Sequence, residues 1–112
     1  MSKALLVLVA TIALVGCATV PVSRERVQAS EQAIQTAVSA GAERDAESAK
    51  YLQLARGELA DGNKLSDKGE PAHAEKVLER SEADARLAAA IARENAAQAN
   101  VTQTAEMLRQ IQ

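Results

Sequence analysis

The chain has no Phe and no Trp, and Tyr51 is its one aromatic residue. A core built on large rings is therefore excluded. Apolar residues make up 47% of the chain, but many of them are alanines, which bury little area each. Such a composition suits thin packed helices better than a deep globular core. Histidine is also scarce: His73 stands alone, and with no second histidine it cannot complete a transition-metal site. No glycine-rich phosphate loop is present, and no serine lies in a nucleophile-elbow pattern with histidine and carboxylate partners. These absences argue against an enzyme and against a cofactor. Acidic and basic residues are interspersed, with a net charge of -2. No basic block is available to hold a nucleic-acid backbone.

Cysteine is equally rare, and the position of the single Cys17 is informative. One cysteine cannot form an intramolecular disulfide. Met1-Ser2-Lys3 is a short basic start, and Ala4 to Val15 follow as an uncharged apolar run. Twelve residues are too few for a spanning helix of about 20, but they match the apolar core of a signal peptide. Leu14-Val15-Gly16-Cys17 resembles the bacterial lipobox. In that class of signals the cysteine thiol receives diacylglycerol and the chain is cut just before it. The resemblance implies a signal peptide over 1–16, a lipidated tether over 17–22 and a helical domain over 23–112. It also implies a membrane attachment through fatty acyl chains such as palmitate on Cys17. Two or three chains give stable anchoring where one gives only marginal binding. Ala18 rather than aspartate follows the cysteine, which implies the outer membrane, with the protein facing the periplasm. Five extended tether residues reach roughly 17 Å, so the folded part is expected close to the membrane surface.

The remainder reads as all-α: a short antiparallel three-helix or helical-hairpin assembly with a long C-terminal helix, preceded by a signal-peptide helix. The first helix is expected from Ser23 or Arg24 to about Ala40, capped by Ser23 and ended by Gly41. Val27, Ile34 and Val38 share one face. A second helix is expected from about Ala46 to Ala60, with Asp45 as its cap and Gly62 just beyond its end. Ala49, Leu52, Ala55 and Leu59 form its stripe. Tyr51 and Leu54 lie off that stripe, which suits the middle position of three packed helices. The stretch Asp61 to Glu70, "DGNKLSDKGE", reads as a loop. Its opening Asp61-Gly62-Asn63 does not continue as a calcium loop, because Lys64 and Leu65 interrupt the alternating ligands.

Pro71 then opens a helix that continues to about Ile111 without Gly or Pro. About 40 residues span about 60 Å. Two faces of this helix are apolar. Ala74, Val77, Leu78, Ser81, Ala85, Ala88, Ala92, Ala96 and Ala99 share one side. Ala83, Leu87, Ala90, Ala97, Val101, Ala105 and Leu108 lie opposite. One partner helix cannot cover both, so the first half is expected to pack on the second helix. The second half is expected to meet the first helix, a second copy or another protein. Val101, Leu108 and Ile111 are the candidate partner face.

The motifs Ala40-Gly41, Ala60-Asp61-Gly62 and Glu82-Ala83-Asp84-Ala85-Arg86-Leu87-Ala88, each in its helical setting, resemble the domain of unknown function 4398 family. These are small helical domains of bacterial lipoproteins and larger envelope proteins. The resemblance implies a helical fold and an envelope location but no activity. The loop before Pro71 is expected to be longer than the family's short turn. The expected role is a non-catalytic binding or scaffolding module, with an envelope protein, peptidoglycan or self-association as the partner. The alternative is a structural alanine-zipper oligomer of the outer membrane. The ending Arg109-Gln110-Ile111-Gln112 lacks the terminal lysine through which murein-type lipoproteins join peptidoglycan covalently.

Overall fold

A computed structural model describes residues 22–112 and contains three α-helices and no strand among them. They are α1 (Arg24–Ser39), α2 (Ala46–Asp67) and α3 (Pro71–Ile111). The expected signal-peptide helix, the lipobox Leu14-Val15-Gly16 and Cys17 lie outside the described residues. No described helix is long and apolar enough to cross a membrane.

Each helix starts and stops for a local reason. Ser23 is extended, and its Oγ accepts a hydrogen bond from the Arg26 amide at 3.2 Å. Asp45 does the same for α2, its Oδ1 accepting from the Ser48 amide at 2.9 Å. The Ser48 side chain also bonds the second Asp45 oxygen. Together these bonds hold the Asp45 carboxyl below its usual range, the Ser48 side-chain bond contributing most. Pro71 occupies the first turn of α3, where its missing amide leaves no bond unmade.

α1 and α2 both end on a glycine in the left-handed region, Gly41 (φ 89°) and Gly69 (φ 79°). At each end two amides fold back onto the last turn. Ala42 N–H donates to Ala37 O and Gly41 N–H to Val38 O; Glu70 N–H donates to Leu65 O and Gly69 N–H to Ser66 O. These pairs are the six-to-one and five-to-two bonds of the Schellman termination.

α2 is thus longer than expected. The stretch Asp61 to Asp67 continues the helix, and the connection to α3 is only Lys68 to Glu70. Its turn-forming letters are overridden by packing. Gly62 is buried where α2 crosses α3, and a Cβ there would stand 2.7 Å from Leu78 Cγ and Cδ2. Glycine serves here as a point of close approach, and the terminating glycine is Gly69. The short turn also removes the expected difference from the family.

α2 runs antiparallel to α3: Gly62 meets Leu78, the Ser81 hydroxyl donates to Ala55 O at 2.7 Å, and Asn95 lies beside Asp45. α1 runs parallel to α3, with Arg26 against Glu75 and Glu82, and Thr36 and Arg93 lining one groove. α3 packs extensively on both other helices, whereas α1 and α2 touch least. The middle helix is therefore α3, not α2. Small residues on α3, namely Ser81, Ala85, Ala88, Ala89 and Ala92, let both neighbours approach closely. The core they share with Ala33, Ile34, Ala37, Ala42, Leu52 and Ala55 is thin. Tyr51 and Leu59 pack at its margin, and Leu54 faces solvent.

Candidate functional site

The buried face of α3 matches the expected side from Ala74 to Ala92. It stops there because α1 and α2 end at this level, their last contacts being Thr36 beside Arg93 and Asp45 beside Asn95. Ala96 and Ala99 continue the same angular line, yet both are exposed. Every residue from Arg93 to Gln112 is exposed. At 1.5 Å per residue this tail projects about 30 Å past the bundle. Of the three partners expected for this half, α1 is ruled out, since it lies on the first half of α3.

The candidate partner face is carried on this tail. Val101 is 70% exposed, Leu108 58% and Ile111 81%. Val101 and Leu108 fall on the side of α3 turned away from the bundle, together with Ala97 and Ala105, whereas Ile111 continues the line of Glu75 and Arg93, the flank that faces α1. Leu87, 41% exposed, and the exposed Ala83 and Ala90 extend the same line back over the bundle. Large aliphatic side chains exposed on this outer side are not needed to stabilise the bundle, and such rows mark association surfaces.

The polar groups of the bundle have structural work. Three fully buried hydroxyls donate to main-chain carbonyls: Ser30 to Leu78 O at 2.8 Å, Ser81 to Ala55 O at 2.7 Å, and Ser48 to the turn carbonyl of Ala42 at 2.9 Å, its one proton shared with Asp45 Oδ2. Each satisfies itself and joins two segments. Arg26 bridges α1 to α3 through Glu75 (2.9 Å), Glu79 (3.4 Å) and Glu82 (3.0 Å). The bond to Glu75 and the surrounding carboxylates hold its guanidinium charge more firmly still. Glu82 also pairs with Arg86 one turn on.

Sequence reasoning missed one cluster. Glu58 of α2 is 3.7 Å from Arg80, and its Oε2 is buried without a hydrogen-bond partner among the described residues. Burial, followed by the neighbouring Asp84 carboxylate, pushes its pKa up. Nothing in the spacing of Glu58 and Asp84 signals the pairing, because it depends on the register of two antiparallel helices.

His73 lies on the surface with Nδ1 3.4 Å from Glu70 Oε2. Asp61-Gly62-Asn63 is helical rather than a loop. Among the described residues no group of three His, Cys, Asp or Glu side chains could hold a metal.

A family model described as Domain of unknown function (DUF4398) matches residues 25–104. The chain belongs to this family. The DUF4398 match takes in nearly all of α1, all of α2 and α3 as far as Thr104. Much of the projecting tail is thus part of the DUF4398 domain itself rather than an addition to it. The chain has no significant match among curated proteins or solved structures.

Proposed function

We propose that this DUF4398 protein is a membrane-anchored lipoprotein of the bacterial envelope, acting as a non-catalytic helical scaffold. The carrying observation is the exposed tail of α3, which presents Val101, Leu108 and Ile111 beyond a bundle that does not need them. The lipobox-like Leu14-Val15-Gly16-Cys17 supports acylation of Cys17, with the outer membrane as the destination.

The two features fit one geometry. Cys17 lies just before α1 in sequence, and α1 runs parallel to α3. Anchoring at Cys17 therefore directs the C-terminal end of α3 away from the lipid surface. The bundle acts as a short pedestal, and the tail is the docking element for an envelope component. Association through such a face draws on burial of apolar area.

The test has two arms. Metabolic labelling with a fatty-acid probe should mark the chain, and Cys17→Ser should abolish the label; persistent labelling would refute the anchor. Removing residues 97–112 should leave the bundle folded but abolish crosslinking to envelope components. Undiminished crosslinking would refute the docking role of the tail.

A further inference from the structure

The exposed face of α3 carries a heptad seam, and we infer that a second copy of this chain docks on it in parallel, in-register coiled-coil pairing. This rests on the scaffold reading of the tail and names its partner.

The seam runs through Ala83, Leu87, Ala90, Glu94, Ala97, Val101, Thr104, Leu108 and Ile111, spaced alternately four and three residues apart. Such spacing sustained over three to four heptads is the mark of a coiled-coil stripe. All of these positions are exposed, and none lies on the face buried against α1 and α2; the row drifts around α3 and ends with Thr104 and Ile111 on the flank of Arg86 and Arg93, past the end of the bundle. Leu87, Glu94, Val101 and Leu108 recur every seven residues as one set; Ala83, Ala90, Ala97, Thr104 and Ile111 recur as the other. A second helix can therefore approach closely along the alanines while the larger side chains interlock. Two shallow depressions already have the outline of the four-residue holes that receive a knob. Glu94, Ala97, Gln98 and Val101, with Thr102 beside them, border one, and Val101, Thr104, Ala105 and Leu108, with Asn100 beside them, border the other. In a parallel pair these receive Ala97 and Thr104 of the second copy.

Charge chooses the partner and the direction. Glu94 is the one charged residue of the seam, and Arg93 flanks it. Among the described residues neither has a salt-bridge partner within the chain. In parallel register the hole that receives Glu94 is formed by Ala90, Arg93, Glu94 and Ala97 of the other copy. Each Glu94 then meets the opposite Arg93, and the two ion pairs offset the proximity of the two Glu94 carboxylates. A polar side chain at one such position fixes register at some cost in stability. The parallel arrangement also sets both bundles at the same end, as two chains anchored in one membrane require.

Disulfide trapping in membranes of cells making the full chain tests this. Val101→Cys and Leu108→Cys should each give a disulfide-linked dimer beyond any seen with the unsubstituted chain. Ala99→Cys, on the opposite side of the tail, should not. Glu94→Arg in the Val101→Cys chain should abolish the dimer, and adding Arg93→Glu should restore it. Failure of the charge reversal to restore it overturns the register. Disulfides formed only between mixed Ala97→Cys and Val101→Cys chains overturn the parallel direction. If no disulfide forms, a photoreactive residue at position 101 separates the remaining cases. An adduct with a different molecule overturns self-pairing while leaving the tail as a docking element; no adduct overturns both. All of these substitutions are at exposed positions, and only Arg93 borders α1; far-UV circular dichroism of the Arg93→Glu chain checks that the bundle is intact.

Discussion

Gly57 and Gly62 lie five residues apart in α2, and alanine should have opposite effects at the two sites. Alanine in place of glycine inside a helix gains roughly 0.5–1 kcal/mol. At Gly57 an added Cβ meets nothing within 4 Å, so the gain is kept in full. A gain near 1 kcal/mol raises the melting temperature of a domain this size by about 4–8 °C. At Gly62 the same Cβ stands 2.7 Å from two carbon atoms of Leu78, a fully buried side chain. Overpacking of that kind costs about 1–3 kcal/mol, which exceeds or cancels the helix gain. The two variants should therefore differ by about 1–3 kcal/mol, with Gly57→Ala the more stable. Urea unfolding of the full chain followed by far-UV circular dichroism measures this, the midpoint shifting at constant slope. The mechanism has its own control. Leu78→Ala should cost about 2–5 kcal/mol by itself, but in that background Gly62→Ala should become stabilising, a coupling that neighbouring sites show and distant ones do not. If both single alanines stabilise equally, α2 does not cross α3 at Gly62 and the helix extension past Ala60 is wrong.

Other perturbations follow from the same packing. Because the Glu58 pKa is raised by burial and then by Asp84, its folded state favours the protonated form, and stability is lost as pH rises through the folded value. Glu58→Gln should thus be more stable than the parent at neutral pH, with the gap closing as pH falls below the ordinary carboxylate range; a pH-independent gap in urea midpoints would contradict this. Asp45 is the reverse case: its pKa is lowered by Ser48, so its contribution is present above the ordinary carboxylate range and lost as pH falls through the folded value. Asp45→Ala should destabilise at neutral pH and converge with the parent in acid. Ser81→Ala removes the buried bond to Ala55 O and should cost about 0.5–1.5 kcal/mol in the same unfolding assay. Arg26→Gln leaves Glu75, Glu79 and Glu82 facing one another along α3; its melting temperature should fall more at low salt than at high salt, as screening relieves the repulsion.

Helix boundaries were legible in the sequence wherever a single residue type decides them. Ser23, Asp45, Gly41 and Pro71 do in the structure what their types suggest. The C-terminal part of α2 was not legible, because "DGNKLSDKGE" is rich in turn formers and only contact with Leu78 keeps Gly62 inside a helix. Gly62 falls on the line of Leu52, Ala55 and Leu59, and that helical spacing was the available signal. The inner face of α3 was read correctly to Ala92, but a period cannot show where neighbouring helices end, so Ala96 and Ala99 were grouped with buried residues. The central place of α3 was equally hidden. It follows from small side chains on two adjacent sides of that helix, which carry little hydrophobic weight in a sequence pattern. The exposed Val101 and Leu108 were visible, since large aliphatic residues stand opposite a stripe already assigned to packing.

Amide hydrogen exchange of the full chain in its native membrane tests the docking role of the tail most directly. A lone projecting helix without tertiary contacts exchanges readily, whereas one covered by a partner is protected. Residues 97–108 should be protected in the membrane and lose that protection when Val101 and Leu108 are replaced by glutamate, while residues 74–92 keep theirs in both forms. Equally fast exchange of residues 97–108 in the parent and the double variant would contradict a role for this face in assembly.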